Sequence, residues 1–136
     1  RGLRTLVPRM RQHQATADLF ADRFAALPFV RRVNSPGANT VPGLTGRSGL
    51  MSMEFDESVN IPKLADALRF FRLGVSWGGF ESLVVASDVR GSRVATPWTE
   101  EGALLRFQIG LEDPRDLISD LESAFAQAGS VHLRQG

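Results

Sequence analysis

The chain has 136 residues, a typical length for one domain and enough to bury a core without disulfides or metal ions. Its 43% hydrophobic content is that of a globular domain, and no run reaches the roughly 18 apolar residues of a membrane-spanning helix. Sixteen basic and fifteen acidic residues nearly cancel, which argues against nucleic acid as the main partner. The chain has no cysteine, which excludes disulfides and thiolate metal sites. We expect a cytoplasmic protein that does not bind membranes.

An apolar stripe with helical spacing opens the chain and predicts one long helix that ends at Pro28. Pro8 lacks a backbone donor and should kink or restart this helix. His13 falls near the stripe, where we expect a packed, hydrogen-bonded side chain. The arginines that precede the first acidic residue indicate a solvated or inter-domain helix face rather than a nucleic-acid arm, because the rest of the chain is not basic. The stripe consists of Leu3, Leu6, Val7, Met10, Ala17, Phe20, Phe24 and Leu27.

Two strands and a second helix are predicted in the middle of the chain. Val30 to Val33 is a short strand candidate, followed from Asn34 to Gly46 by a loop rich in glycine and proline. Leu50 to Phe55 alternates apolar and polar residues, as a half-buried strand does. The helix that follows has Pro62 in its first turn, where proline is tolerated. Its apolar stripe is Ile61, Leu64, Leu68 and Phe71.

The stretch LGVSWGGFESLVV, from Leu73 to Val85, carries a polar turn between two apolar runs. The adjacent glycines Gly78 and Gly79 indicate backbone that needs a positive φ, or that another group approaches closely. Beside them stand Ser76 and Trp77. From the residues alone, an ordinary tight turn with a packed indole explains this pattern.

Two further strands are predicted, from Ser82 to Ser87 and from Leu104 to Gly110, joined by an exposed polar connection over Asp88 to Thr99. In the second strand, alternation places Arg106 and Gln108 on the face opposite the large apolar residues. The final helix begins at the N-cap Asp113, and Gly129 follows its end. Because the strands are few and their connections unequal, we predict an α+β fold: a small, mainly antiparallel sheet with helices packed on one face.

Arg106 is the residue best suited to binding chemistry, although a solvated arginine on an open sheet face is the ordinary alternative. A guanidinium stays charged and offers a planar fork to a carboxylate, which lysine cannot do. Glu81 has the chemistry of a general base, but a structural hydrogen bond is the expectation. An acidic group near the last helix could suggest a metal, yet capping and a solvated face explain it better. Its members are Glu112, Asp113, Asp116 and Asp120.

Three co-linear stretches closely resemble the C-terminal domain of the pyridoxal-phosphate (PLP) enzymes of cysteine and methionine metabolism, with the cystathionine β-lyase branch the closest. The first is Arg4-Thr5-Leu6 followed by Arg11-Gln12-His13-Gln14. The second is SWGGFESLV, and the third is LLRFQIGLEDPRDLISDLESAF from Leu104 to Phe125.

The resemblance implies a division into residues 1–28, a long helix leading from a missing PLP-binding domain, and residues 29–136, a C-terminal small domain. It implies that Arg106 docks the α-carboxylate of the amino-acid substrate, with Ser76 and Trp77 beside it. Lys63 lies outside any family lysine motif, and the chain has no tyrosine. We therefore expect no catalytic residue, no bound PLP and no turnover in this segment alone.

As part of a full-length enzyme, the segment is expected to serve β-elimination of cystathionine to pyruvate, ammonia and a thiol such as homocysteine. Cystathionine γ-synthase and γ-lyase are the alternatives within the family. Those branches usually carry leucine in place of Trp77, whereas Phe80 departs from the tyrosine or histidine common at its position. Family members are usually homotetramers. A non-catalytic α+β domain that binds a small acid or mediates assembly is the alternative from another class.

Overall fold

The computed structural model describes residues 2–36, 42–99 and 102–128. They form a five-stranded sheet with strand order β1-β2-β5-β4-β3, antiparallel except for the short β3–β4 pair. This arrangement confirms the predicted α+β fold. The strands are β1 (Val30–Asn34), β2 (Leu50–Phe55), β3 (Arg72–Leu73), β4 (Leu83–Ser87) and β5 (Ala103–Gln108), and the helices are α1 (Leu6–Ala25), α2 (Ile61–Ala67) and α3 (Pro114–Gln127). Arg1, the loop residue Gly37 and Gly129 lie outside the described residues.

Helix α1 begins after a single 3-10 turn, Gly2–Thr5, and ends at Ala25 rather than at the predicted Pro28. Pro8 falls in the first turn of α1, where its missing N–H has no partner to lose. The kink or restart predicted at Pro8 is therefore not found: α1 runs through Pro8 without a break, and the change from 3-10 turn to α-helix comes at Leu6. His13 is buried, and its Nδ1 lies 2.8 Å from the carbonyl oxygen of Ile109, so that Nδ1 carries the proton of this hydrogen bond. This confirms the packed, hydrogen-bonded histidine.

Helix α2 is shorter than its apolar spacing predicts. It ends at Ala67, and Leu68 is extended, with a ψ of 139°. Phe71 is buried in the core although it lies outside the helix. The predicted helix over 61–71 is therefore wrong in its last turn, because the backbone N–H groups after Leu68 bind a carboxylate of α3 instead of continuing the helix.

The three helices cover one face of the sheet. Met51 and Met53 of β2 and Leu105 and Phe107 of β5 point into this layer, where they meet the buried sides of α1, α2 and α3. Seven phenylalanines interlock there, with ring centroids 4.7 to 6.0 Å apart. Rings of Phe24, Phe29 and Phe55 all surround Phe125.

The opposite face of the sheet carries the polar residues of the alternating strands. Glu54 of β2 is buried there, bound by Arg32 at 3.0 Å and by the side-chain amide of Asn34 at 2.6 Å. Arg106 projects from β5 on the same face, since it pairs with Ser52 of β2. Alternation in β2 and β5 thus separates a hydrophobic layer from a polar one, as the sequence predicts.

Helix α3 begins as predicted. The Asp113 side chain accepts the N–H of Arg115, and Pro114 occupies the first helical position. Hydrogen bonds from the Arg115 side chain and backbone lower the pKa of Asp113 from its usual 3.8 to about 2. Because the folded state favours the carboxylate, this group stabilises the fold above about pH 4.

That contribution should disappear as the pH falls through about 2. In thermal unfolding followed by circular dichroism, we expect Asp113→Asn to lose less stability than the wild type between pH 4 and pH 2. Parallel pH profiles for the two proteins would contradict this expectation. Asp116→Asn, an exposed change in the same helical turn, is the matched control.

Candidate functional site

The residues from Gly74 to Glu81, here called the Trp77 loop, connect β3 to β4. Gly78 has a φ of +81°, which confirms one of the two glycine predictions, whereas Gly79 does not need a positive φ. The indole of Trp77 is 64% exposed and Phe80 is 73% exposed. The packed indole of the ordinary turn interpretation is therefore wrong: within the described residues, the apolar side chains of this loop face outward.

Arg106 reaches from the middle of β5 to the beginning of the Trp77 loop. Its Nη2 donates a hydrogen bond of 2.7 Å to the carbonyl oxygen of Val75 and a longer one, 3.4 Å, to that of Ser76. Its Nε is buried and has no hydrogen-bond partner among the described residues. The structure thus brings together Arg106, Ser76 and the backbone next to Trp77, which are far apart in sequence.

The end of the Trp77 loop is fixed against the chain that leaves β5. The N–H of Leu111 donates to the carbonyl oxygen of Phe80 at 2.8 Å. Gly110 lies so close that a Cβ atom there would collide with the same oxygen and with the Glu112 carboxylate. A side chain at position 110 would therefore push this end of the loop away from β5.

Two acidic residues have roles that the sequence did not predict. Glu112 accepts hydrogen bonds from the backbone N–H and the hydroxyl of Ser82, at 2.8 and 2.7 Å. Asp120 is only 7% exposed and accepts the N–H groups of Arg69, Phe70 and Phe71. The predicted solvated acidic face is thus wrong for Asp120, and Glu112 binds a distant serine rather than complementing the helix. A signal for Asp120 was present, because it falls on the buried stripe of α3 between Leu117 and Leu121.

The remaining candidates do not join this site. Glu81 is exposed, and no hydrogen bond to its carboxylate occurs among the described residues, so the structural bond expected for it is not found. Within those residues, no group of three or more acidic or histidine side chains is arranged to hold a metal ion. No helix in the part of the chain described is long and apolar enough to cross a membrane.

Comparison with known proteins identifies the family. A family model described as "Cys/Met metabolism PLP-dependent enzyme" matches residues 1–126. The chain belongs to this family. Cystathionine beta-lyase MetC of Escherichia coli is 39% identical over 93% of the chain, and an L-alanine/L-glutamate racemase of Wolbachia pipientis is 35% identical over the whole chain.

Solved structures of PLP enzymes share the fold. Cystathionine gamma synthase from Xanthomonas oryzae, in complex with aminoacrylate and cysteine, has a TM-score of 0.76 and is 32% identical over 96% of the chain. Cystathionine gamma-lyase from Lactobacillus plantarum, complexed with L-serine, has a TM-score of 0.77 and is 26% identical over 95% of the chain. The chain spans 38% and 37% of these two structures, and 35% of the E. coli enzyme.

One lysine occurs in this PLP-family chain. Its single lysine, Lys63, is exposed at the start of α2, in the helical layer on the far side of the sheet from Arg106. The sheet and the core therefore separate Lys63 from Arg106, and the two side chains do not share a site.

Proposed function

We propose that this chain is the substrate-carboxylate-binding portion of a PLP-dependent carbon–sulfur lyase, with the cystathionine β-lyase reaction as its activity. The observation that carries the proposal is the position of Arg106, whose guanidinium lies on the polar face of the sheet and touches the Val75–Ser76 backbone. Family membership and 39% identity to a cystathionine beta-lyase support the reaction class.

Arg106 acts in this proposal by orientation. Its bonds to two carbonyl oxygens use one nitrogen of the guanidinium and limit how the plane can rotate. Other N–H groups of the fork can then bind the α-carboxylate of an amino acid. Fixing the carboxylate fixes the directions of the bonds at Cα, which is a large part of what a catalyst of elimination has to achieve.

Ser76 and Trp77 complete the proposed substrate site. Both are exposed at the bend that Arg106 contacts, so a substrate held by the guanidinium would lie against them. An exposed indole is costly in water, and a substrate or the rest of the enzyme would remove part of that cost. The roles of Arg106, Ser76 and Trp77 remain predictions, as do the division at residue 28 and the cytoplasmic location.

The cofactor and the Schiff-base lysine belong, in this proposal, to the portion of the full-length polypeptide that precedes the segment. When bound there, PLP would supply the electron sink for breaking bonds at Cα. A homotetramer of the full-length protein is the expected assembly. Alone, the 136-residue chain is expected to show no turnover.

A product assay tests the reaction class. With cystathionine as substrate, the full-length polypeptide should release pyruvate, as expected for β-elimination. Release of 2-oxobutyrate would instead identify a γ-lyase, and the γ-enzymes among the similar structures make this the second candidate. Racemisation of alanine without either oxoacid would assign the activity of the Wolbachia relative. Binding of an amino acid without any turnover would favour the non-catalytic alternative.

A further inference from the structure

The segment that contacts Arg106 runs from Arg69 to Ser82, and a carboxylate binds each of its two ends. Val75 and Ser76 lie in a stretch with few contacts of its own: β3 is two residues long, and the Trp77 loop is exposed. Such a stretch would not keep its carbonyl groups on Arg106 unless its ends were fixed.

The Asp120 carboxylate binds the backbone at the start of this segment. One of its oxygens accepts the N–H of Arg69 at 2.9 Å, and the other accepts those of Phe70 at 2.9 Å and Phe71 at 3.4 Å. A carboxylate buried this deeply is tolerated because several donors satisfy it. The three N–H groups immediately precede β3, so their positions set where β3 starts.

The Glu112 carboxylate binds Ser82 at the end of the segment. Its two oxygens accept the N–H and the hydroxyl of Ser82, and the hydroxyl oxygen of Ser82 in turn accepts the N–H of Gly110 at 2.9 Å. This network joins the end of the Trp77 loop to the chain two residues after β5. Arg106 itself lies on β5, so the end of the loop and the guanidinium are both attached to β5 and the residues that follow it.

Resting on the proposed function of Arg106, we propose that Asp120 and Glu112 are positioning residues for the substrate carboxylate. They hold both ends of the segment so that the Val75 and Ser76 carbonyl oxygens meet Nη2 of Arg106. Neither carboxylate lies within hydrogen-bond distance of Arg106, and each acts through backbone that it binds. Loss of either one should leave the guanidinium in place but free to rotate.

The test measures binding of two competitive inhibitors to the full-length enzyme. One is an amino acid that is an analogue of cystathionine, and the other is the corresponding amine, which lacks the α-carboxylate. Asp120→Ala and Glu112→Ala should weaken binding of the amino acid about tenfold while changing binding of the amine by less than about twofold. General damage to the fold would weaken both. Hydrogen exchange of residues 68–82 should also become faster in both variants.

Matched controls are Asp116→Asn, an exposed carboxylate on the same helix, and Glu57→Gln, an exposed glutamate before α2. Should the alanine variants not fold, Asp120→Asn and Glu112→Gln replace them, since each keeps one acceptor oxygen. These variants should weaken binding of the amino acid about threefold and leave binding of the amine nearly unchanged. Equal loss for both inhibitors, or unchanged binding and exchange, overturns the positioning role.

The same assay separates this inference from the proposed function. If Arg106→Lys does not weaken binding of the amino acid relative to the amine, the carboxylate role of Arg106 fails, whatever the Asp120 and Glu112 variants do. If Arg106→Lys has the selective effect but the Asp120 and Glu112 variants do not, the proposed function stands and the positioning role is wrong.

Discussion

Replacing Arg106 with lysine in the full-length polypeptide is expected to lower kcat/KM for cystathionine by about 10²- to 10³-fold. A lysine ammonium is a single point of positive charge, so it cannot contact the Val75 carbonyl and also present a planar fork to a carboxylate. The loss should appear in KM and in kcat, because the arginine both binds the substrate and orients the bonds at Cα.

Steady-state kinetics with cystathionine measure this effect. Arg90→Lys is the matched control, since Arg90 is exposed and binds only Asp88 among the described residues. Its kinetics should stay within about twofold of the wild type. Kinetics of Arg106→Lys within threefold of the wild type would remove Arg106 from the substrate site.

Replacing Phe125 with alanine is expected to lower the free energy of unfolding of the 136-residue chain by about 3–5 kcal/mol. The side chain is fully buried, and its ring contacts those of Phe24 from α1, Phe29 before β1 and Phe55 from β2. Its removal would leave a cavity where three elements meet, and rings of this size cannot collapse to fill it. The total free energy of unfolding of a small domain is roughly 5–15 kcal/mol, so the substitution would remove much of the stability.

Chemical denaturation measures the loss. Phe80→Ala removes the same ring from an exposed position in the Trp77 loop and should change the unfolding free energy by less than about 0.5 kcal/mol. Similar losses at the two positions would show that the phenylalanine cluster does not form the core of this domain.

Four of the five described strands and the start of α3 could be predicted from the sequence because their signals are local, whereas the two-residue β3 was not predicted. Alternation over Leu50 to Phe55 and around Arg106 gave both strands to within two residues and assigned the correct faces. Asp113 followed by Pro114 defined the start of α3. The end of α2 could not be predicted, because periodicity extends to Phe71, whereas the helix stops where Asp120, some fifty residues away in sequence, binds the backbone.

The candidate site, like the fold, could be predicted from the sequence only in part. A positively charged fork on the polar face of a strand could be inferred for Arg106 from alternation alone, and the resemblance directed attention to Ser76 and Trp77. The contact between Arg106 and the Val75–Ser76 backbone, by contrast, joins residues about thirty positions apart in sequence.

Sequence by itself therefore determined the α+β class and the faces of β2 and β5, since periodicity and capping act within a few residues, and the resemblance of three co-linear stretches indicated the family. Tertiary structure alone decided that Glu112 and Asp120 bind distant backbone and that the Trp77 loop turns its apolar side chains outward. The physical reason is that a carboxylate accepts any donor that the fold brings within about 3 Å, and no local pattern specifies which donor that is.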